Sequence, residues 1–291
     1  ETFKHLVDGC RMSEYNGEKD CLLEIRDLYV SYHKEPPVFV KNGSEGRDGI
    51  LKGINLEVKK GCLTALLGAN GSGKTTLLKA ACGLLPSRCG TVRVCGRELP
   101  SFRRRELAAF ISYIPQKNSI LYHIRTDEVV VMGVNPRMNW YEAPSSAHRE
   151  EARRLLEQIG LGNEADRDFL TLSEGQKQLA LLCRALMQNA PVMLFDEPDS
   201  ALDYGNRKKI LSRIAAIIKE DRYGGLITIH DPDYALHYCD EIIILKDGVI
   251  RETICCRNVT EDGRREAERK LKIIYPDIEV ISFNGRFLTV K

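Results

Sequence analysis

Apolar positions along the chain switch between a period near two and a period near 3.6, and that switching predicts the elements. Residues 22–32 (LLEIRDLYVSY) and 50–58 (ILKGINLEV) read as strands. Between them, Pro36-Pro37, Asn42-Gly43, Gly46 and Gly49 predict a loop or loose hairpin tip over 34–49. The short apolar run 62–67 (CLTALL) reads as a buried strand, followed by a glycine-rich turn and a helix from Lys74 to Leu84. Residues 90–99 read as strand, turn and strand around Gly96. Ser101 is a candidate cap for a short helix, Arg103–Arg105 a solvated face, and 109–115 a further strand. Helical spacing over 127–132 and 147–159, joined by a Pro/Asn/Ser-rich stretch, predicts a helical insert. Residues 174–189 predict a helix with Leu179, Leu182, Cys183 and Leu186 on one face. Strand 192–195, helix 206–219, strand 226–229, helix 232–238 and strand 241–245 follow, with Asp247-Gly248 turning into 249–254. Thr260 can cap a charged helix over 261–272, and a last hairpin, 277–290, turns at Asn284-Gly285. Strands alternating with helices predict an α/β fold with a largely parallel sheet, and the hairpin-rich beginning predicts a small antiparallel sheet beside it.

Composition narrows the class of protein. The chain has 291 residues, 43 Lys plus Arg against 41 Asp plus Glu, and a net charge of +2. This near balance argues against a dedicated nucleic-acid binder and against a self-repelling disordered chain. No apolar run approaches the roughly 18–20 residues needed to cross a bilayer, and the first residues carry no apolar stretch of the signal-peptide kind. Residues 1–20 are polar and aperiodic and read as a tail. The ten cysteines form no CxxC pair and no zinc-site spacing, so they read as reduced thiols acting as small apolar side chains.

The chemistry begins at Gly68-Ala69-Asn70-Gly71-Ser72-Gly73-Lys74-Thr75, which fits G-x-x-x-x-G-K-[ST] between a strand and a helix. Glycines let backbone wrap a phosphate without Cβ clashes, and the loop N–H groups and the helix N-terminus then face the anion. Lys74 brings a positive charge to the β/γ-phosphates, the Thr75 hydroxyl can ligate Mg²⁺, and Thr76 adds a hydroxyl near the α-phosphate. At the end of the apolar run 192–195, Asp196 is suited to hold Mg²⁺ and Glu197 to orient or activate the attacking water.

Leu172-Ser173-Glu174-Gly175-Gln176 resembles the LSGGQ signature of ATP-binding-cassette (ABC) ATPases. The other elements of that family follow in order. Tyr113-Ile114-Pro115-Gln116 resembles the Q-loop, Asp196-Glu197-Pro198 the end of Walker B, Ser200-Ala201-Leu202-Asp203 the D-loop, and Ile229-His230-Asp231 the switch histidine. Tyr32 is similar to the aromatic residue that stacks on adenine, although Tyr29 is a rival for that role. The resemblance spans about residues 22–255 and implies a cassette fold with a parallel core sheet, an antiparallel β subdomain and a helical subdomain near 117–188, ahead of a C-terminal helix and hairpin over 256–291.

The resemblance also implies a mode of action. Ser173, Gly175 and Gln176, at a helix N-terminus, would close on the γ-phosphate held by a second copy of the chain, giving a head-to-tail dimer with two shared ATP sites. Gln116 would reach Mg²⁺ and the attacking water and link the site to a membrane permease. His230 would hold the γ-phosphate and couple to Glu197, and Asp203 would bridge the subunits or simply cap its own helix.

The stretches GANGSGKTTLLKAACGLLP, ISYIPQ, EVVVMG and SALDYGN are similar to the ATPases of ferric-siderophore, haem and vitamin B12 importers. That implies a peripheral subunit on the cytoplasmic face of the membrane, served indirectly by a substrate-binding protein. An exporter ATPase, an importer of another nutrient and a soluble non-transport cassette are the competing readings. Three positions depart from the pattern: Glu174 replaces the first glycine of the signature pair, Asp199 the threonine after the acidic pair and proline, and Val134 the arginine that follows Met-Gly.

Overall fold

The computed structural model describes residues 20–31, 49–116, 120–139, 141–200, 202–220, 223–257, 259–283 and 285–290. Residues 1–19, Tyr32 and nearly all of the 34–49 loop therefore lie outside the described residues.

A four-stranded antiparallel sheet of order β2-β1-β4-β5 is built from β1 (Cys21–Val30), β2 (Leu51–Lys59), β4 (Cys89–Val94) and β5 (Arg97–Glu98). The main sheet has six strands in the order β10-β9-β3-β8-β7-β6. Its members are β3 (Leu63–Leu67), β6 (Ile111–Ile114), β7 (Val192–Phe195), β8 (Gly224–Thr228), β9 (Glu241–Lys246) and β10 (Val249–Cys255). All pairs in it are parallel except β10 with β9. The strands read as unbroken apolar runs because both faces are covered. Alternate residues divide between two cores: Leu63, Ala65 and Leu67 face one, and Leu66 faces the other. Met193 and Phe195 likewise part from Val192 and Leu194.

One core lies between this sheet, the antiparallel sheet and α1 (Lys74–Ala81). The other takes in the helical subdomain: α3 (Thr126–Val131), α4 (Ser146–Gln158) and α5 (Glu174–Gln188). It continues through α6 (Tyr204–Ile218), α7 (Pro232–Tyr238) and the C-terminal α8 (Glu261–Leu271). Helix α5 buries more than the single face its period suggests. Leu182 and Cys183 are in the core, but so are Ala180, Leu181 and Ala185, while Leu179 and Leu186 are half-buried. The hairpin β11 (Glu279–Phe283) and β12 (Arg286–Val290) closes the described chain. Ala267, Leu271, Ile278, Val280 and Phe287 belong to the same core as the helical subdomain, so the extension is packed into the domain.

The expected cap at Ser101 is not there. Ser101 ends a 3-10 turn, donating its hydroxyl to Glu98 O at 2.7 Å. The short helix α2 (Arg104–Leu107) starts after Arg103, whose backbone N–H is taken by Glu106. Pro100 favours an early turn, and that turn uses up the serine hydroxyl. Thr260 does cap α8, accepting from Gly263 N at 3.1 Å.

Candidate active site

The carboxyl ends of the parallel strands carry every catalytic candidate, as expected of an open α/β sheet. The phosphate loop leaves β3, Gln116 follows β6, Asp196-Glu197 follow β7, and Thr228 ends β8 just before His230. Strand order puts β8 between β3 and β7, so groups far apart in sequence meet along one edge.

The loop is shaped by its glycines. A Cβ at Gly68 would stand 2.4 Å from Leu245 O and 2.5 Å from Ser72 Oγ. Gly73, at φ +105, caps α1 in a conformation that side-chain-bearing residues avoid. At Gly71 (φ +80) nothing lies within 4 Å, so the mouth is open. Asn70 is exposed, whereas Ser72, Lys74 and Thr76 are buried. Lys74 Nζ donates to Gly68 O at 2.7 Å and to Ala69 O at 3.3 Å. Burial pulls its pKa down, against the attraction of Glu197 and Asp196. Ser72 Oγ is buried without a hydrogen-bond partner among the described residues. A buried lysine resting on carbonyls, an unsatisfied hydroxyl and an open, cradle-shaped backbone together fit a polyphosphate.

Thr75 Oγ1 donates to Asp196 Oδ1 at 3.0 Å, across 121 positions of sequence. Hard oxygen donors on this pair suit Mg²⁺. Asp196 is 2 % exposed, and Tyr113 OH donates to its Oδ2 at 3.0 Å. Thr228 Oγ1 lies 3.2 Å from Asp196 Oδ1 and accepts from Glu197 N at 2.7 Å. Nothing in the sequence marks Tyr113 or Thr228 for contact with the acidic pair. Tyr113 lies inside the Q-loop motif and Thr228 two residues before His230, and proximity to those motifs is the only signal the sequence offers.

Glu197 has φ +47, a left-handed conformation costing about 1–3 kcal/mol in a non-glycine residue. The turn aims its carboxylate between two others: Gln116 Nε2 donates to Oε2, and His230 Nε2 lies 2.6 Å from Oε1. Gln116 and His230 are both exposed, while the Glu197 side chain is only 12 % exposed. A carboxylate held by two polar groups at the rim of a phosphate cradle is arranged to accept a proton from water.

The signature residues sit apart from this cluster. Ser173 caps α5 in a reciprocal box: its hydroxyl accepts from Gln176 N at 3.3 Å, and Gln176 Oε1 accepts from Ser173 N at 3.0 Å. Asp203 caps α6, accepting from Asn206 N at 2.9 Å and from Asn206 Nδ2 at 2.8 Å. A Cβ at Gly175 would reach to 3.2 Å from that same Asn206, so the two motifs share one asparagine. Among the described residues, no hydrogen bond or ion pair joins Ser173, Gln176 or Asp203 to the phosphate-loop cluster of the same chain. Glu174 points to Lys177 at 2.7 Å, a short ion pair on the outside of the helix.

Asp199 is 4 % exposed and pairs with Arg207 at 3.4 Å. Burial pushes its carboxyl above the usual range, with Arg207 opposing. Arg207 also lies 5.6 Å above the Tyr234 ring. Val134 is buried in the helical subdomain beside a crevice of about 820 Å³. The expected adenine-stacking residue, Tyr32, lies outside the described residues, and Tyr29 is 40 % exposed.

Phosphate cradle, strand-end carboxylates and cassette topology define a P-loop nucleotide-binding protein. Comparison with known proteins gives the family. The profile described as "ABC transporter" matches residues 51–200, so the chain belongs to the ABC transporter family, whose cassettes bind and hydrolyse ATP. It is similar to the "Probable iron chelatin transport ATP-binding protein" of Helicobacter pylori, at 35% identity over 199 residues, 68% of this chain and 78% of that protein. It is 34% identical to the "Hemin import ATP-binding protein HmuV" of Shewanella denitrificans over 210 residues, 70% of this chain and 81% of the relative. Among solved structures, the dimeric bacterial ABC transporter cassette MJ0796 superposes with a TM-score of 0.69 at 25% identity, covering 81% of this chain and 100% of the other. No helix among the described residues is long and apolar enough to cross a membrane.

Proposed function

We propose that this chain is the ATP-hydrolysing subunit of an ABC importer for an iron chelate, haem or corrinoid, working as an ATP-bridged dimer beneath a membrane permease. The observation that carries the hydrolytic part is the Glu197 carboxylate, bonded on one side to Gln116 and on the other to His230, beside a loop fitted to polyphosphate. Relatives named for iron chelatin, hemin and cobalamin transport support the cargo class.

In this reading Lys74, the loop N–H groups and the Ser72 hydroxyl bind the β- and γ-phosphates of ATP, and Thr76 lies toward the α-phosphate. Tyr32 stacks on adenine. Thr75, Asp196 and Gln116 would hold Mg²⁺, which neutralises charge on the phosphate oxygens. Glu197 takes the proton of the attacking water, and His230 holds both that carboxylate and the γ-phosphate. Ser173, Gly175, Gln176 and Asp203 meet the ATP of the second copy. That no bond ties them to the chain's own loop among the described residues, and that Ser173 and Asp203 are exposed at the starts of their helices, support that assignment. Closing and reopening of the dimer would drive the permease between its two facing states, with a substrate-binding protein supplying cargo from outside. The subunit would then sit peripherally on the cytoplasmic face of the membrane.

A second reading keeps the cassette and changes the cargo to a free metal ion. It rests on relatives named for zinc transport in Treponema pallidum, 31% identical, and for manganese transport in Bacillus subtilis, 33% identical. Both readings are tested by a mild-detergent pull-down of the tagged chain from its native membranes, followed by mass spectrometry. Recovery of a polytopic permease with a chelate-binding protein is expected. A metal-ion-binding protein in its place would favour the second reading, and an exporter-type membrane subunit or only soluble partners would refute import.

A further inference from the structure

The C-terminal extension is bound to the switch histidine and to the helix that starts two residues after it. Tyr275 OH donates to the backbone carbonyl of His230 at 2.6 Å, across 45 positions of sequence. In the first turn of α7, Thr289 N, on β12, donates to Asp233 Oδ1 at 2.9 Å. Asp233 N in turn donates to Asp231 Oδ1 at 3.0 Å, the cap of α7. At the far end of α7, Arg286 Nη1 lies 2.8 Å from His237 Nε2. The extension thus holds α7 at its start, first turn and last turn.

The anchor on the other side is firm. Leu271, four residues before Tyr275, is fully buried and accepts its backbone N–H at 2.9 Å. Arg264 bonds Val280 O at 2.6 Å, and Glu268 accepts from Val280 N at 3.1 Å, tying α8 to β11. Burial, with the Asp231 charge adding to it, pushes the Tyr275 phenol up to about 12, so it stays a protonated donor through the neutral range.

His230, by contrast, has an exposed side chain that rests against the Glu197 carboxylate. The Glu197 contact and the backbone together orient this exposed imidazole, and the backbone carbonyl is what Tyr275 grips. We propose that Tyr275 is a positioning residue that fixes the backbone of His230, so that the C-terminal extension sets the geometry of the switch histidine against Glu197. This rests on the reading of His230 given above.

The test measures ATP hydrolysis, KM for ATP and thermal stability of the full chain for Tyr275→Phe, His230→Ala and the double variant. The phenylalanine keeps the ring and its packing and removes only the donor. Loss of one such hydrogen bond is expected to lower kcat about 3- to 10-fold, with KM unchanged and Tm lowered by only about 2–4 °C, too little to unfold the chain at the assay temperature. The double variant is expected to be no slower than His230→Ala, because one interaction acts through the other. Wild-type kcat in Tyr275→Phe overturns the proposal, as does a fall in kcat that only tracks the fraction of chain unfolded at the assay temperature. If His230→Ala itself hydrolyses at the wild-type rate, the role given to His230 has failed, and the positioning role falls with it. If His230→Ala is slow while Tyr275→Phe is not, only the positioning role fails.

Discussion

Replacing Glu197 by glutamine removes a proton acceptor and the carboxylate oxygen that faces His230. The side chain keeps its shape, and the left-handed backbone at φ +47 is still held by Thr228 at 2.7 Å. Gln116 can still donate to the remaining carbonyl oxygen. What disappears is the basic oxygen and one negative charge. A positioned general base contributes typically about 10²–10⁴-fold, so kcat should fall by that factor, equivalent to about 2.7–5.5 kcal/mol of barrier. ATP affinity should hold or rise, because the phosphates then approach Lys74 with one fewer carboxylate beside it. Phosphate release measured at saturating ATP gives the first quantity, and equilibrium binding of a fluorescent ATP analogue gives the second. Hydrolysis at near the wild-type rate would refute the assignment of Glu197 as base. Loss of binding together with hydrolysis would show that its carboxylate supports the cradle instead.

Other perturbations separate the parts of the site. Gly68→Ala should abolish nucleotide binding and lower Tm, since its methyl would meet Leu245 O at 2.4 Å and only backbone movement relieves that; isothermal titration with ATP checks it. Thr228→Val keeps the volume but strips the acceptor from Glu197 N, and a buried unsatisfied N–H costs about 1–3 kcal/mol, to be read as a lower urea midpoint together with reduced kcat. Asp199→Asn should stabilise the protein at neutral pH: a raised carboxyl pKa means the folded state holds the proton longer than the unfolded state, so that residue's contribution falls as pH rises from the unfolded value through the folded one. The gain in urea-unfolding free energy should therefore shrink toward pH 4, and a gain that grew on acidification would reverse the sign. Alkylation at pH 8 should label exposed Cys89 and Cys255 well before Cys183 and Cys239, whose thiols burial pushes up, the first to about 12; early labelling of Cys239, followed by peptide mapping, would contradict its burial.

Much of this site was legible in the chain because its chemistry is written in short, contiguous motifs. A phosphate loop is a turn between a strand and a helix, and eight consecutive residues carry its glycines, its lysine and its hydroxyl. The same locality made the cap at Thr260 readable and offered Asp203 as a cap beside its role as a bridge, since a cap joins residues about three apart. Ser101 shows the limit of local reading, because two competing turns suited the same hydroxyl and the one begun at Pro100 took it.

The amino-acid sequence by itself determined the strands, most helices, the phosphate cradle and the acidic pair at a strand end, because backbone hydrogen bonding and side-chain period are set over a few residues. Only the tertiary structure decided which groups face one another. Strand order brought Thr75 to Asp196 and placed Tyr113 and Thr228 on the acidic pair. Packing of α8 and the last hairpin into the common core delivered Tyr275 to His230. Such pairings depend on how sheets and helices stack over distances of tens to hundreds of residues, and no local spacing encodes that.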